Sequence, residues 1–398
     1  TSYQDLGLTP IINASGAVTR LGGAPMPAEV LEAFREAAGQ WVPLEQLQAA
    51  AGQRIAELTG TESGLVTAGS AAALTLGTAA ILCGNNLRRI EQLPHCDDFP
   101  CEIVIAREQR SGYDHAVRAA GARLVEVGFN EIVSNAGVRR TEAWEYEAAF
   151  TQHTAGVFYG YGRDSQPPLE EVIERAHRHN LPVLVDAAGE LPPKHNLKDI
   201  AALGADLVGF SGGKAIRGPQ STGILCGRRD LVASAAIQML DMDDHLQLWD
   251  PPRSLIDPDT LDGLPRHGIG RALKVSKEEI LALLTALELF ASGAYDSDWD
   301  RQHARLESIA SELDQLNVTC SIQGTAAEER SPVLAITIDE SAVGRTAFEL
   351  CQNLRNGTPP VYVSHGQLDQ ANLIINPLCV SDEQAQQLAQ RLREELAS

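Results

Sequence analysis

The chain has 398 residues, of which 44% are hydrophobic and 21% charged, which is typical of a globular protein of two or three domains. No apolar run approaches the ~20 residues of a membrane-spanning helix, and the amino-terminal stretch lacks the pattern of a secretion signal. A net charge of −21 repels phosphate backbones and argues against nucleic acid as a partner. Seven cysteines without a Cys-x-x-Cys pair predict reduced thiols and a cytoplasmic protein.

From about residue 50 to 230, short apolar runs alternate with helical patterns. The strand-like segments are GLVTAG, EIVIAR, RLVEVG, AGVFYGY, LPVLVDAAG, ADLVGFSGG and STGILCGR. Helical segments such as SAAALTLGTAAIL and LEEVIERAHRHN lie between them. This alternation predicts crossover connections and an α/β fold with a mostly parallel sheet, covered by helices on both faces.

The last third of the chain has a different character. Residues 241–267 are rich in Asp and Pro and predict a long irregular connection. A helix, KVSKEEILALLTALELFASG, follows, and then the strand-like VLAITID, VYVSHG and NLIINPLCV and a final helix, SDEQAQQLAQRLREEL. We therefore predict an N-terminal segment (1–45), a large α/β domain (46–267) and a smaller α+β domain (268–398).

Three polar features fall where strands of the large domain are predicted to end. The segment LPVLVDAAG leads to Asp186, a carboxylate whose burial is costly unless a cation meets it. The segment ADLVGFSGGK presents Ser211 and Lys214. The segment GLVTAG passes through Gly69 into a helix that begins at Ser70, and the first amides of a helix form an anion site. Ligands of such sheets bind beyond the carboxyl ends of the strands, so these features predict one site.

Pyridoxal phosphate (PLP) would use all three features together. Its aldehyde needs an amine, its pyridine nitrogen a carboxylate and its phosphate a cradle. Lys214 would form the Schiff base, and Asp186 would keep the ring nitrogen protonated, so that the ring accepts electrons from a substrate carbanion. The two residues are 28 positions apart, which corresponds to one helix-and-strand unit and predicts neighbouring strand ends. The alternative is a lysine that ends a strand and points to water.

These segments resemble a known family. The strand ending at Asp186, the SGGK run and the GPQSTG turn are similar to fold-type I PLP enzymes, and more narrowly to bacterial selenocysteine synthase (seryl-tRNA selenium transferase) with its ammonia-lyase-like and racemase-like relatives. INASGAVTRLGGAPM, AELTGTESGLVTAGSAAALTL and GIGRALKVSKEEILALLTALE also match. The resemblance covers nearly the whole chain. It implies an aspartate-aminotransferase-like fold, PLP as cofactor, and an N-terminal segment that contributes to the active site and the small domain.

The resemblance also implies which residues hold the cofactor phosphate. They are Gly69, Ser70 and Ala71 at the helix start, Ser211 before the lysine, and Gln220 and Ser221 in the GPQSTG turn. In enzymes of this type the GPQSTG turn reaches the phosphate of the neighbouring subunit. We therefore expect at least a homodimer with shared active sites.

Two other segments contain residue types that could serve such a site. The segment REQRSGYDHAVRAAG offers Tyr113 and His115 to cover one face of the PLP ring, and Tyr113 is the candidate we retain. The segment HCDDFPC fits no standard zinc spacing, so we expect a loop with buried thiols and no metal.

The residue that binds the substrate carboxylate is less evident. Relatives of selenocysteine synthase carry a PVxxR motif in the small domain, but here PPVYVSHG has Ser364 in place of that arginine, followed by His365. Arginine suits a carboxylate because its planar fork matches both oxygens. Arg271 in GIGRALK and Arg20 in AVTRLGG are the replacement candidates, and His365 is a third.

The function predicted from these residues is a PLP-dependent lyase. It would carry out α,β-elimination on a small amino acid or amino-sugar acid and release ammonia, with Lys214 as the acid and base at the α-carbon. Racemisation and selenium or sulfur transfer remain alternatives, because the pocket rather than the cofactor selects the reaction. The net charge argues against transfer onto tRNA. A binding module without catalysis would not need both Asp186 and Lys214.

Overall fold

The computed structural model describes residues 1–129, 131–133 and 137–397. The chain divides into two compact units, which we call the larger unit (Met26–Ala291) and the smaller unit (Thr1–Pro25 with Ser292–Ser398). In the described part of the chain, no helix combines the length and the apolar character that crossing a membrane requires.

Strands and helices alternate through most of the larger unit, as the sequence predicts. The strands are β1 (Ile12–Ala14), β2 (Ser63–Thr67), β3 (Glu102–Ala106), β4 (Arg123–Val127), β5 (Glu131–Val133), β6 (Gly137–Arg139), β7 (Thr154–Gly160), β8 (Val183–Asp186), β9 (Leu207–Ser211), β10 (Gly223–Gly227), β11 (Val318–Gln323), β12 (Val333–Ile338), β13 (Val361–Val363) and β14 (Asn372–Ile375). The helices are α1 (Ala28–Ala38), α2 (Leu44–Thr59), α3 (Ser70–Cys83), α4 (Leu87–Gln92), α5 (Asp114–Ala119), α6 (Ala143–Ala148), α7 (Leu169–Arg178), α8 (Asn196–Ala202), α9 (Arg229–Met239), α10 (Lys277–Ser292), α11 (Asp298–Ser311), α12 (Glu340–Val343), α13 (Ala347–Asn356) and α14 (Asp382–Ala397).

The larger unit is built on a seven-stranded sheet in the order β2-β10-β9-β8-β7-β3-β4. Only β10 runs antiparallel to its neighbours, β2 and β9, and the other pairs are parallel. The central strands are almost continuously apolar and buried, because helices cover both faces of a parallel sheet. Helix α3 is buried along nearly its whole length, which explains why its sequence is apolar on every side.

The smaller unit contains an antiparallel sheet, β11-β12-β14, and a parallel pair, β1-β13. The predicted strands VLAITID, VYVSHG and NLIINPLCV correspond to β12, β13 and β14. Strand β1 joins the amino-terminal segment to this unit, since Ile12, Asn13 and Ala14 pair with Val361, Tyr362 and Val363. Helices α11, α13 and α14 contribute Leu306, Leu350 and Leu388 to a separate buried core.

The two units do not divide where the sequence predicted. Residues 26–45 and 268–291 lie in the larger unit, whereas we placed them in an N-terminal segment and in the small domain. Helix α10 accounts for the second difference. Its Glu279 accepts a hydrogen bond from Ser221, and its Glu288 pairs with Arg54 at 2.6 Å. The buried apolar side chains of α10 therefore belong to the core of the larger unit.

Candidate active site

One edge of the large sheet collects the polar residues that the sequence placed at strand ends. Asp186 at the end of β8 lies opposite Gly209 of the neighbouring strand β9. Ser211 at the end of β9 lies opposite Gly223, and Gly223 also pairs with Thr67 at the end of β2. Because β2, β8 and β9 are parallel to one another, their carboxyl ends meet at this edge.

Asp186 is a half-buried carboxylate whose neighbours only partly offset the cost of burying its charge. Its Oδ1 accepts a hydrogen bond from the Ala188 backbone N–H at 3.0 Å. Burial raises the pKa of the Asp186 carboxyl, and the Ala188 hydrogen bond and the positive charge of Lys214 only partly oppose that effect. The site therefore favours a further cation next to Asp186.

Lys214 projects from a tight turn that follows β9. The Gly212 backbone N–H donates to Thr222 O at 2.9 Å, and the Gly218 N–H donates to Gly212 O at 2.8 Å. A Cβ on Gly213 would lie 2.4 Å from the Gln220 Cα, so a larger residue there would displace the backbone. The glycines of SGGK thus allow two chain segments to approach closely and fix the position of Lys214.

Helix α3 begins beside this turn. Gly69, which precedes the helix, has a φ of 87°, a conformation that favours glycine, and the position of its missing Cβ is 3.7 Å from Ser221 O. Ser70 is half-buried and Ala71 is exposed at the helix start. The first amides of α3 therefore face an accessible region next to the GPQSTG turn, where an anion can bind.

The GPQSTG turn exposes both of its predicted phosphate ligands. Gln220 and Ser221 are exposed, and the Ser221 hydroxyl donates a hydrogen bond to Glu279 Oε1 on α10. Glu279 is acidic, so Ser221 has to turn away from it before its hydroxyl can donate to a phosphate.

Tyr113 lies near the same edge of the sheet but farther along it. It precedes α5, which follows β3, and its side chain is 62% exposed. The neighbouring His115 has its Nδ1 3.0 Å from Arg118 Nη2. The structure thus leaves the Tyr113 ring accessible to a ligand, whereas His115 interacts with its own helix.

Arg271, a candidate for the substrate carboxylate, lines a cavity of about 600 Å³ in the larger unit. Its guanidinium is paired with Asp241, which also lies 3.2 Å from His267 Nε2. Glu279, the acceptor of the Ser221 hydrogen bond, lines the same cavity. Arg271 would have to leave Asp241 before it could bind a substrate carboxylate with both nitrogens.

The other two candidates for the substrate carboxylate belong to the smaller unit. Arg20 is exposed in a short 3₁₀ turn after β1, and its guanidinium carbon lies 5.7 Å from the centre of the Tyr362 ring. His365 is exposed after β13.

Sequence reasoning missed one acidic residue of this region, Glu190. It is half-buried, and its backbone N–H donates to Ala187 O at 3.2 Å. Burial raises the pKa of its carboxyl, the charge of Asp186 raises it further, and Lys214 opposes the rise. Glu190 therefore lies within electrostatic reach of both predicted catalytic residues. Its position four residues after Asp186, in DAAGE, was the available signal.

The residues of this edge fit PLP. The under-compensated Asp186 matches a protonated pyridine nitrogen, Lys214 matches the aldehyde, and the start of α3 with the glycine-rich turn matches the phosphate. When bound there, PLP would supply an electron sink for a substrate carbanion. Such a site defines a PLP-dependent enzyme.

Comparisons with known proteins agree with this class. Residues 142–243 match the family model of the class-V aminotransferases. A 5'-C-glycyluridine monooxygenase-decarboxylase from a Streptomyces species is 32% identical over 98% of this chain and 91% of its own length. D-glucosaminate-6-phosphate ammonia lyase from Salmonella typhimurium is 26% identical over 98% of this chain and 97% of its own.

A solved structure of D-glucosaminate-6-phosphate ammonia lyase superimposes with a TM-score of 0.81 at 26% identity, covering 99% of this chain and 98% of the other. L-seryl-tRNA(Sec) selenium transferase from Aquifex aeolicus is 25% identical over 88% of this chain and 77% of its own. This chain therefore belongs to the selenocysteine synthase-like family of fold-type I PLP enzymes. The predicted family, fold type, cofactor and PLP-dependent enzyme class are thereby confirmed.

Proposed function

We propose that the protein is a PLP-dependent ammonia lyase that acts on an amino-sugar acid carrying a phosphate. The observation that carries the proposal is the pair Asp186 and Lys214, on adjacent strand ends, in a chain similar over nearly its whole length to D-glucosaminate-6-phosphate ammonia lyase. In the overall reaction the substrate loses its α-proton and its β-hydroxyl as water. This loss leaves a carbon–carbon double bond next to the amino group, and a proton shift from nitrogen to the β-carbon converts this enamine to an imine. Hydrolysis of the imine then releases ammonia and leaves a 2-oxo acid.

Lys214 and Asp186 would have separate roles. Lys214 Nζ would hold the cofactor aldehyde at rest and, once substrate replaces it, would take the proton from the substrate α-carbon. Asp186 would keep a positive charge on the pyridine nitrogen. Burial strengthens this interaction, because water competes poorly for the carboxylate at the end of β8.

The phosphate end of the cofactor would lie at the start of α3. Gly69, Ser70 and Ala71 supply the helix amides, and Ser211 supplies a hydroxyl from the end of β9. The Tyr113 ring, which is accessible, would cover the pyridine ring.

Elimination also needs a proton for the departing β-hydroxyl, and we assign that proton to Glu190. A carboxyl whose pKa is raised by burial and by the Asp186 charge retains its proton at higher pH than an exposed one. Lys214 takes a proton from the α-carbon, so a separate donor for the β-oxygen allows both transfers within one turnover.

We further infer that the enzyme is a cytoplasmic homodimer or higher oligomer with shared sites. Gln220 and Ser221 are exposed next to the start of α3, on a surface that a second subunit can reach. The described cysteines form no disulfide, which fits a reducing compartment.

A second candidate function is an oxygen-dependent decarboxylase. The observation that favours it is the 32% identity to the 5'-C-glycyluridine monooxygenase-decarboxylase, which exceeds the identity to the lyase. In this chain either function would use the same site, so Asp186 and Lys214 do not distinguish between them.

One assay separates the candidates. The purified protein, with PLP bound, is incubated with D-glucosaminate-6-phosphate, and ammonia and 2-oxo acid are measured together with dioxygen uptake and carbon dioxide release. Equal amounts of ammonia and 2-oxo acid without dioxygen uptake support the lyase. Dioxygen uptake with carbon dioxide release, or inversion of the substrate without ammonia, contradicts it. Tight and selective binding of seryl-tRNA at physiological salt would favour the transferase instead.

A further inference from the structure

The smaller unit contains two arginines around one aromatic ring. Tyr362 lies on β13, Arg355 is near the end of α13, and Arg20 is in the turn after β1. The guanidinium carbons of Arg355 and Arg20 lie 5.2 and 5.7 Å from the centre of the Tyr362 ring. We call these three residues the arginine cluster. The pairing of β1 with β13 brings its members together although they are distant in the sequence.

Neither arginine of the cluster has a carboxylate partner among the residues the structure describes. In the same unit, Arg345 and Arg391 both pair with Glu395, at 3.3 and 3.0 Å. The Nε of Arg355 is buried without a hydrogen-bond acceptor in the described structure, as is that of Arg391, but Arg391 has Glu395 as a carboxylate partner and Arg355 has none. This is unusual in a chain with 53 acidic and 32 basic residues.

Two guanidinium groups next to one ring place two positive charges in the same part of the smaller unit. An aromatic face attracts a cation but carries no net charge, so the Tyr362 ring neutralises neither arginine. Both arginines also act on Cys351, whose thiol pKa is raised by burial and lowered by each of the two positive charges. The local potential is therefore strongly positive, and an N–H donor is left without an acceptor.

We propose that the arginine cluster binds an oxyanion, the phosphate or carboxylate group of a small molecule. Arginine presents several N–H donors in one plane, which suits either group, and a dianion would neutralise both positive charges. The acceptor that the buried Nε of Arg355 lacks would then be a ligand oxygen.

Two sources of the oxyanion are distinguishable. It is either the acid group of the substrate, an interpretation that rests on the proposed function, or a free anion such as inorganic phosphate that regulates the enzyme. Inorganic phosphate is the probe for both, because it has the shared chemistry and does not depend on turnover.

The experiment is a calorimetric titration of the PLP-loaded enzyme with inorganic phosphate at constant ionic strength. Loading with PLP first keeps the cofactor phosphate site filled. We expect saturable binding that Arg20→Gln and Arg355→Gln each weaken by about tenfold or more, whereas Arg355→Lys retains part of the affinity. The control is Arg393→Gln, which removes the same charge from an exposed arginine that pairs with Glu312 in the same unit, and it should bind like the wild type.

The substrate assay then identifies the source. A higher KM for D-glucosaminate-6-phosphate in Arg20→Gln and Arg355→Gln, with kcat retained and phosphate competitive in the wild type, assigns the cluster to the substrate. An unchanged KM with weakened phosphate binding assigns it to a free anion. A wild type that binds phosphate but does not turn over this substrate contradicts the proposed function and leaves the cluster supported. Absence of saturable phosphate binding, or equal affinities in the wild type and both glutamine variants, overturns the inference.

Discussion

Asp186 in the larger unit and Arg355 in the smaller unit each lack a full counter-charge, and their own charges are opposite in sign. Asp186 is a half-buried carboxylate with one backbone donor and a partial contribution from Lys214. Arg355 is a half-buried cation with a second cation nearby and no carboxylate partner in the described structure. A buried charge is costly unless an opposite charge compensates it, so each of the two groups predicts a ligand of the opposite charge.

We expect the region around Asp186 to carry out the reaction and the arginine cluster only to bind a ligand. The Asp186 region contains an amine, Lys214, and a second carboxyl, Glu190, to which we assign catalytic roles, whereas the arginine cluster contains only hydrogen-bond donors and an aromatic ring. Variants of the first region should therefore reduce kcat, and variants of the second should reduce affinity. The predictions below test this contrast in order of decreasing effect.

Lys214→Ala should have the largest effect. We expect kcat to fall by at least about a thousandfold, since one residue supplies both the cofactor link and the base at the α-carbon. The visible absorbance that PLP gains on binding, which borohydride abolishes, should also disappear. The matched control is Lys198→Ala, an exposed lysine on α8 that should leave both properties unchanged. A variant that retains the borohydride-sensitive band would show that another lysine holds PLP.

Asp186→Asn should lower kcat by about 10² to 10³-fold, the range for loss of one preorganised electrostatic contact. A neutral amide cannot keep the ring nitrogen protonated, although it fills the same volume. Steady-state kinetics with saturating PLP measures the loss, and Asp199→Asn, in an exposed pair with His195, is the control. Near-normal turnover would exclude Asp186 as the partner of the pyridine nitrogen.

In the protein without PLP, Asp186→Asn should change how the free energy of unfolding depends on pH. Because burial raises the folded pKa of Asp186 above its ordinary value of 3.8, the stability it contributes is full below pH 3.8 and is lost as pH rises through the folded pKa. The free energy of unfolding of Asp186→Asn relative to wild type should therefore increase as pH rises from 3.8 through the raised folded pKa. Chemical denaturation at several pH values checks the sign, and a difference that decreases with pH would contradict it.

Glu190→Gln should reduce kcat by about tenfold, less than the usual general-acid effect of about 10² to 10⁴-fold, because water can replace a donor that is only half-buried. The pH profile is the decisive measurement. A carboxyl with a raised pKa donates its proton only below that pKa, so wild-type kcat should fall as pH rises through it. The variant should lose this descending limb, and the exposed Glu171→Gln should retain it. An unchanged profile would leave Glu190 without a catalytic role.

Ser221→Ala should have the smallest effect of the four residues. A single hydrogen bond contributes about 0.5–1.5 kcal/mol, which corresponds to a loss of roughly two- to tenfold in PLP affinity. If the turn serves a second subunit, dilution of the wild type should lower activity and cofactor content together. A fully active monomer would contradict shared sites. Ser254→Ala, at another exposed serine, controls for the loss of a hydroxyl.

The sequence by itself determined the α/β class, the order of the elements in the larger unit and the pair Asp186 and Lys214. These inferences depend on short-range patterns, namely alternating apolar runs, glycines before a lysine and a carboxylate after a buried strand. Such patterns also predict which residues are close in space, because adjacent parallel strands end at the same edge of a sheet. A separation of one helix and one strand is therefore enough to predict that Asp186 and Lys214 are neighbours.

Only the tertiary structure decided which residues the remaining charged groups meet. Arg271 and Asp241 pair after a long irregular connection, and no periodic pattern encodes that contact. Arg20 and Arg355 meet at Tyr362 because β1 pairs with β13, a contact between the two ends of the chain. Residues 26–45 and 268–291 lie in the larger unit, where Glu288 of α10 pairs with Arg54 of α2, another contact between residues distant in the sequence. The spacing of apolar residues in the sequence specifies which face of a helix or strand a residue occupies. What that face contacts depends on burial and on pairing between segments that are far apart in the sequence.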